Sequence, residues 1–293
     1  MIIARGAAIA AAPPASARLR IGRFVLAYVA VLRLYSVIPL ALLAYAIGAA
    51  AGGPRGHLLA AVIAITCGLA GGYAYNDLRD RQCDRVNRPA RPLVSGRLSV
   101  PRVHGLVVVL FSAAVIAAAV TGSSRTLVFA VLLVVSACAY SDVIKYIPAV
   151  KNVFVGVWCG VLPWGAALDT ITLAALPSIA LIMLFITQKE LLADVYDRAG
   201  DAVAGVHTLP VIFGARASLV VVAAVNAGSW VVARTIDAPL LGHLPAAAGF
   251  AAAVNVIALL VVFWKPIAAR AFLELQKIFM IGGCLSLFAA LRW

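Results

Sequence analysis

The sequence contains nine runs of apolar residues, and these runs constrain the fold more than any other feature. A helix needs roughly 20 apolar residues to cross about 30 Å of bilayer hydrocarbon, and fewer where the hydrocarbon is locally thin. Each run is therefore predicted to be a transmembrane helix. The predicted spans are 24–50, 57–75, 102–121, 125–141, 150–168, 172–191, 215–234, 244–264 and 271–291.

Charged residues are too few for a soluble domain of this length. Of the 293 residues, 64% are hydrophobic and only 12% are charged, whereas the surface of a soluble domain carries about 25–35% charged residues. Helices that face lipid need almost none. The composition therefore predicts an all-α, polytopic membrane protein.

Lysine and arginine are distributed unequally between the two sides of the predicted membrane. If the N-terminus is cytoplasmic, nineteen of the 24 fall in cytoplasmic segments. Cytoplasmic loops of membrane proteins are enriched in these residues, so we expect an integral, multi-pass protein with a cytoplasmic N-terminus. Basic cytoplasmic loops that contact anionic membrane lipids explain the net charge of +13. No nucleic-acid partner is therefore predicted.

Two clusters of aspartate are conspicuous because the chain has only eleven acidic residues. The first occurs in "NDLRDRQCD" and the second in "DVYDRAGD", and both have the spacing i, i+3, i+7. On a helix such positions lie within about 60° of one another, so each cluster puts three like charges on one face. We call these the first and second acidic triplets. Their members are Asp77, Asp80 and Asp84, and Asp194, Asp197 and Asp201.

The triplets suggest a site for Mg²⁺ and a phosphorylated ligand. Mg²⁺ binds carboxylate oxygens and commonly takes its remaining ligands from substrate phosphates and water. The first triplet is followed by Arg85, Arg88, Arg91 and Arg97, whose forked donors match phosphate oxygens. Solvated ion pairs at a membrane interface are the alternative, but two matched clusters that each follow an apolar run favour a metal-bridged diphosphate.

Both regions resemble the motifs of the UbiA superfamily of intramembrane prenyltransferases. The first is "NDLRDRQCDRVNRPARPLVSG", similar to the family pattern NDxxDxxxD followed by N-x-P-x-R-P-x-x-S-G. The second is "KELLADVYDRAGDAVAGVHTLPVIFG", with its trailing G-x-x-T-L-P. The chain departs from the family at Ala193, where members often carry a basic residue. This leaves open which cation balances the second acidic triplet.

The resemblance implies a role for each matching residue. All six aspartates would bind Mg²⁺ and take part in catalysis, together with Tyr140 and Lys145 from "YSDVIKYIPAVKN". Asn76, Arg88, Arg91, Lys145 and Glu190 would bind the substrate. The nine helices would surround a central apolar chamber, with the Mg²⁺ and diphosphate site on its cytoplasmic side.

The implied reaction is Mg²⁺-dependent transfer of a polyprenyl group from an isoprenoid diphosphate to a lipophilic acceptor, through an allylic carbocation. A farnesyl-sized or geranylgeranyl-sized donor is favoured, and the acceptor stays open. One alternative is a UbiA-type terpene cyclase that acts on the diphosphate alone. Another is an ion-coupled transporter that uses the acidic residues for ions.

A mobile N-terminal tail is expected over residues 1–22. Residues 23–293 are expected to form a single UbiA-like domain. That domain would consist of two pseudo-repeated halves, about 23–141 and 142–293, each of which contains one acidic triplet.

Overall fold

Every regular element in the described part of the protein is helical, which confirms the predicted all-α class. The computed structural model describes residues 17–233, 263, 270–276 and 278. The helices are α1 (Ala17–Val31), α2 (Leu34–Ala50), α3 (Arg55–Arg79), α4 (Arg81–Asn87), α5 (Val100–Val120), α6 (Ser124–Asp142), α7 (Val150–Val161), α8 (Leu176–Val203), α9 (Leu209–Phe213) and α10 (Ala215–Ala233). Single 3-10 turns occur at Ile144–Tyr146, Leu162–Trp164 and Leu173–Ala175.

Five of these helices are long and apolar enough to cross a membrane. They correspond to the predicted spans 57–75, 102–121, 125–141, 172–191 and 215–234. Large apolar side chains on α5, such as Val109 and Val120, are 64% and 73% exposed. Exposed valines at this density suit a helix that faces lipid. Together these helices are those of an integral, multi-pass membrane protein.

The predicted span 24–50 is not one straight helix. It is interrupted at Leu32 and Arg33, and the segments on either side meet at 56°. Arg33 has φ 50° and ψ 46°, a left-handed conformation that ends α1 before α2 begins. Together the two segments count as a sixth, bent span.

Two further predicted regions differ from the structure or lie outside it. The span 150–168 is a shorter apolar helix, α7, followed by the turn Leu162–Trp164. Pro163 lies in that turn and lacks the amide hydrogen that a continuing helix would need. The spans 244–264 and 271–291 fall largely outside the described residues, so the total of nine stays a prediction. In the segment expected to be a tail, α1 begins at Ala17, and residues 1–16 are outside the described part.

Helix α3 is the centre of the first half of the described structure. Small buried residues along it, such as Ala64, Gly68 and Gly71, allow α5 and α6 to approach closely. A Cβ atom on Gly71 would lie 2.7 Å from the ring of Phe111 in α5. Close packing of small residues is a main source of helix association in membranes, because lipid and side chains are equally apolar.

Helix α8 has the same central place in the second half, between α7 and α10. On its α7 side the approach again depends on glycine, since a Cβ atom on Gly160 would lie 2.7 Å from the carbonyl oxygen of Ile179. Helix α4 also packs against α8. This last contact brings the ends of the two halves together at the acidic residues.

Candidate active site

The first acidic triplet lies where α3 gives way to α4. Asp77 is in the last turn of α3, Asp80 separates the two helices and Asp84 is in α4. Asp77 and Asp84 are 3% and 2% exposed. The predicted single helical face therefore becomes a corner, which still presents all three carboxylates to one cavity.

The second acidic triplet lies on the uninterrupted helix α8, so its predicted helical spacing is observed directly. Asp194 and Asp201 are buried, and Asp197 is partly buried. All three line the same cavity as the first triplet. The two motifs, more than 100 residues apart in sequence, thus form one site.

Side chains at the C-terminal end of α4 join the two triplets. Arg88 forms an ion pair with Asp197 and lies 3.9 Å from Asp84. Asn87 donates to the carbonyl oxygen of Asp197 at 2.8 Å and accepts from the amide nitrogen of Gly200 at 3.0 Å. A Cβ atom at position 200 would collide with Asn87, so this contact requires glycine.

Arginines neutralise the first triplet from two directions. Arg91 contacts Asp77 at 2.9 Å and Asp84 at 2.6 Å. Arg33 contacts Asp77 at 3.1 Å from the break between α1 and α2, and its guanidinium lies 4.5 Å from the ring centre of Tyr73. The break in the first span therefore directs a charged side chain into the site.

Two lysines, one in the connection between α6 and α7 and one in the first turn of α7, each contact one triplet. Lys145 lies 2.8 Å from Asp80 and Lys151 lies 2.6 Å from Asp194. Asn152 donates to the other oxygen of Asp194 at 2.9 Å. Lys151 thus supplies the cation that Ala193 does not, because it approaches Asp194 from a neighbouring helix.

The donor set fits a divalent cation, although the carboxylates are arranged as ion pairs. Within the described ranges, no three His, Cys, Asp or Glu side chains converge closely enough to hold a metal ion. Five of the six aspartates pair with Lys or Arg, while Asp201 accepts from the thiol of Cys83 at 3.3 Å. One oxygen of Asp197 and one of Asp201 are buried and have no hydrogen-bond partner. Two such oxygens one helical turn apart suit Mg²⁺, which requires oxygen ligands.

Burial makes the carboxylates costly to hold in their charged form. It raises the pKa of Asp84 to about 6, while the nearby Arg91 acts in the opposite direction. A bound cation would favour the ionised carboxylate. The electrostatics of this corner are therefore those of a site that gains from binding positive charge.

The cavity that contains the triplets has a volume of about 1200 Å³ and continues between apolar helix faces. Its walls include Leu40, Leu69, Phe154 and Trp158. The two acidic triplets lie toward the C-terminal ends of α3 and α8 and in α4, whereas these wall residues come from within helices. The cavity is therefore ionic at the triplets, and most of its remaining lining is apolar.

The other predicted site residues also line this cavity. Asn76 donates to Asp80 at 2.6 Å, and Tyr140 stacks on Phe154 with ring centres 6.2 Å apart. Glu190 accepts from Lys189 at 2.7 Å. The predicted residues are thus brought together, and their individual roles in binding and catalysis stay predictions. Arg85 is not among the residues that line the cavity.

Sequence reasoning missed five residues that contact the triplets: Arg33, Cys83, Asn87, Lys151 and Asn152. A signal was present for Arg33, which is the sole charged residue within the first apolar run. Such a charge is costly in lipid and is usually functional. Lys151 lies in the quoted segment "YSDVIKYIPAVKN", but only the fold reveals that it reaches the second triplet.

Archaeal relatives resemble much of this chain. It is 34% identical over 184 residues to a digeranylgeranylglyceryl phosphate synthase of Methanoculleus marisnigri, covering 60% of this chain and 63% of that protein. It is 34% identical over 174 residues to the synthase of Thermococcus gammatolerans, covering 58% of this chain and 62% of that protein. The matches thus span less than two thirds of the length of these curated relatives.

Solved structures share the fold over most of the chain. A structure of digeranylgeranylglyceryl phosphate synthase superposes with a TM-score of 0.66 at 18% identity, covering 92% of this chain and 98% of the other. A UbiA homolog from Archaeoglobus fulgidus, solved with GPP and Mg²⁺ bound, gives a TM-score of 0.63 at 18% identity, covering 90% and 99%. Identities this low establish similarity of fold alone.

Membership of a family follows from a match that spans most of the sequence. The model of the UbiA prenyltransferase family matches residues 37–280, which include both acidic triplets, the connection between α6 and α7, and nearly every described helix. This agrees with the resemblance found in the two motifs. The chain belongs to the UbiA prenyltransferase family.

Proposed function

We propose that this protein catalyses the Mg²⁺-dependent transfer of a polyprenyl group from an isoprenoid diphosphate to a lipophilic acceptor. One observation carries the proposal: two acidic triplets and their cations share a single cavity whose remaining walls are largely apolar. The ionic end suits a diphosphate, and the apolar part suits an isoprenoid chain. The site would face the cytoplasm, within one domain made of residues 23–293.

The six aspartates would hold Mg²⁺, and the unpartnered oxygens of Asp197 and Asp201 are its first expected ligands. When bound, Mg²⁺ supplies positive charge against the diphosphate and so assists its departure. The protein's own task is to keep these carboxylates ionised and oriented. Arg88 and Asn87 contribute to this by fixing α4 against α8.

Arg88, Arg91 and Lys145 would bind the diphosphate oxygens. All three line the cavity next to the triplets, and preorganised cations of this kind stabilise negative charge as it develops on the leaving group. Asn76 would assist by holding Asp80, to which it donates. Glu190 would contribute to substrate binding from the wall formed by α8.

The apolar part of the cavity would protect the allylic carbocation that remains. Helix faces there exclude water, which would otherwise capture the cation. Tyr140, Phe154 and Trp158 line this part, and the rings of Tyr140 and Phe154 stack with their centres 6.2 Å apart. Each ring face turned toward the cation would contribute about 0.5–2 kcal/mol.

The sequence relatives favour a particular pair of substrates. Because they are digeranylgeranylglyceryl phosphate synthases, we propose a geranylgeranyl-sized donor and a glycerol phosphate lipid that already carries one prenyl chain. Both substrates would enter from the membrane. The terpene cyclase alternative shares the first bond cleavage and differs only in what captures the cation.

The test uses the full-length protein in nanodiscs with Mg²⁺ and geranylgeranyl diphosphate, with and without geranylgeranylglyceryl phosphate. Diphosphate release is measured, and the lipid products are identified by mass spectrometry. Transfer predicts release that depends on the acceptor and a product with two prenyl chains. A cyclised hydrocarbon or terpene alcohol formed without acceptor would establish the cyclase instead, and no release under either condition would contradict both.

A further inference from the structure

Lys151 has no role assigned by either sequence motif, yet it is buried and contacts the second acidic triplet. It lies in the first turn of α7, is 9% exposed, and its Nζ atom is 2.6 Å from Oδ1 of Asp194. Asn152 donates to Oδ2 of the same carboxylate at 2.9 Å. Both oxygens of Asp194 are therefore occupied by donors from α7.

The other members of the second acidic triplet are arranged differently. Asp197 and Asp201 each keep one buried oxygen without a hydrogen-bond partner. These two carboxylates can accept a cation without losing an existing contact at that oxygen. Asp194 can do so only if Lys151 or Asn152 releases it. The three aspartates are thus not equivalent toward a metal ion.

Lys151 also has a counterpart at the first triplet. Lys145, six residues earlier in the connection that precedes α7, contacts Asp80 at 2.8 Å. Both lysines line the cavity that holds the triplets. An ammonium on a flexible stem carries three donors and can change partners without movement of the backbone.

We propose that Lys151 exchanges partners during substrate binding. It neutralises the buried Asp194 until a diphosphate arrives, and then donates to the diphosphate oxygens while Asp194 becomes available to the cation. This inference rests on the proposed function. It adds to the site a diphosphate-binding residue from α7 and a reason for Asp194 to be held by α7 beforehand.

The exchange predicts opposite effects on two affinities in Lys151→Met, a variant with a similar apolar stem and no charge. Without diphosphate, Mg²⁺ should bind about tenfold more tightly, because its competitor for Asp194 is gone. With saturating Mg²⁺, inorganic pyrophosphate should bind about tenfold more weakly, because a charged donor is lost. Both constants are measured by isothermal titration calorimetry on the protein in nanodiscs. Lys151→Arg, which keeps the charge, should lie closer to wild type in both.

A purely structural lysine gives a different result. If Lys151 only orients Asp194 for the metal, Mg²⁺ and pyrophosphate should weaken together, and that outcome overturns the proposal, as does no change in either. Arg125→Met is the control. Arg125 lies at the end of α6 that is far from the site, and it pairs with Asp169 at a distance of 3.5 Å. This variant should change neither constant.

A second comparison avoids leaving a buried carboxylate without its cation. Asp194→Asn and the double variant Asp194→Asn/Lys151→Met are both free of that charge. Pyrophosphate should bind about tenfold more weakly to the double variant than to Asp194→Asn, because only the former lacks the Lys151 donor. Equal affinities overturn the proposal. If the wild-type protein binds neither Mg²⁺ nor pyrophosphate, the proposed function itself has failed.

Discussion

At the residue scale, the six aspartates differ in what they would leave behind if replaced. Asp77 is buried between Arg33 and Arg91, so its loss would leave Arg33 without a carboxylate partner, while Arg91 would keep Asp84. Asp201 has the thiol of Cys83 as its partner and one buried oxygen with none. Equal importance for chemistry therefore need not mean equal importance for stability.

Two aspartate variants should separate these effects. Asp201→Asn should abolish prenyl transfer with little change in thermal stability, because no cation loses its partner. Asp77→Asn should abolish transfer and also lower the free energy of unfolding by about 3 kcal/mol, the usual cost of breaking a buried ion pair. Activity is measured by diphosphate release and stability by thermal unfolding in detergent. Equal stability of the two variants would contradict the described pairing.

Ala149 provides a test of backbone strain beside the site. It precedes α7 with φ 60° and ψ −39°, a region that residues with a Cβ atom rarely occupy. Ala149→Gly should raise the free energy of unfolding by about 1 kcal/mol, because glycine accepts positive φ without strain. A melting temperature below that of the wild-type protein would show that the turn is not strained.

At the scale of elements, hydrophobic run length predicted most of the helices but not how they are interrupted. Runs near 57–75, 102–121 and 125–141 form single helices because they contain no proline and no charged residue beyond their first position. The run at 24–50 contains Arg33, which leaves the helical path and reaches Asp77. The stabilisation from that contact depends on tertiary structure, so it cannot be predicted from hydropathy along the chain.

The contact between α7 and α8 determines whether Lys151 reaches Asp194, and glycine makes that contact possible. Gly160→Ala should lower the free energy of unfolding by about 1–3 kcal/mol, the usual cost of overpacking, because the added Cβ meets the backbone of α8. Prenyl transfer should fall in parallel.

Gly105→Ala is the matched control for this helix contact. Gly105 lies in α5, and a Cβ atom there would have no neighbour within 4 Å. The substitution should therefore raise the free energy of unfolding by about 0.5–1 kcal/mol through helix propensity alone. Shifts of the same sign for Gly160→Ala and Gly105→Ala in thermal unfolding would count against close packing of α7 on α8.

At the scale of the whole molecule, the site exists only because two distant parts of the chain meet. The sequence predicted both acidic triplets and that they meet at one site, since their spacing repeats in an acid-poor chain. It did not predict that Asn87, Arg88 and Gly200 join them, or that Lys151 substitutes for a cation at position 193. Those contacts depend on how α4 and α7 approach α8, which one-dimensional patterns do not specify.

The most direct test of a shared site is Mn²⁺ binding, followed by electron paramagnetic resonance on the protein in nanodiscs with inorganic pyrophosphate. The wild-type protein should bind Mn²⁺ tightly only when pyrophosphate is present. Asp80→Asn in the first triplet and Asp197→Asn in the second should each weaken that binding about tenfold or more. If either substitution leaves Mn²⁺ binding unchanged, the two triplets do not hold one metal and diphosphate site, and the central claim is wrong.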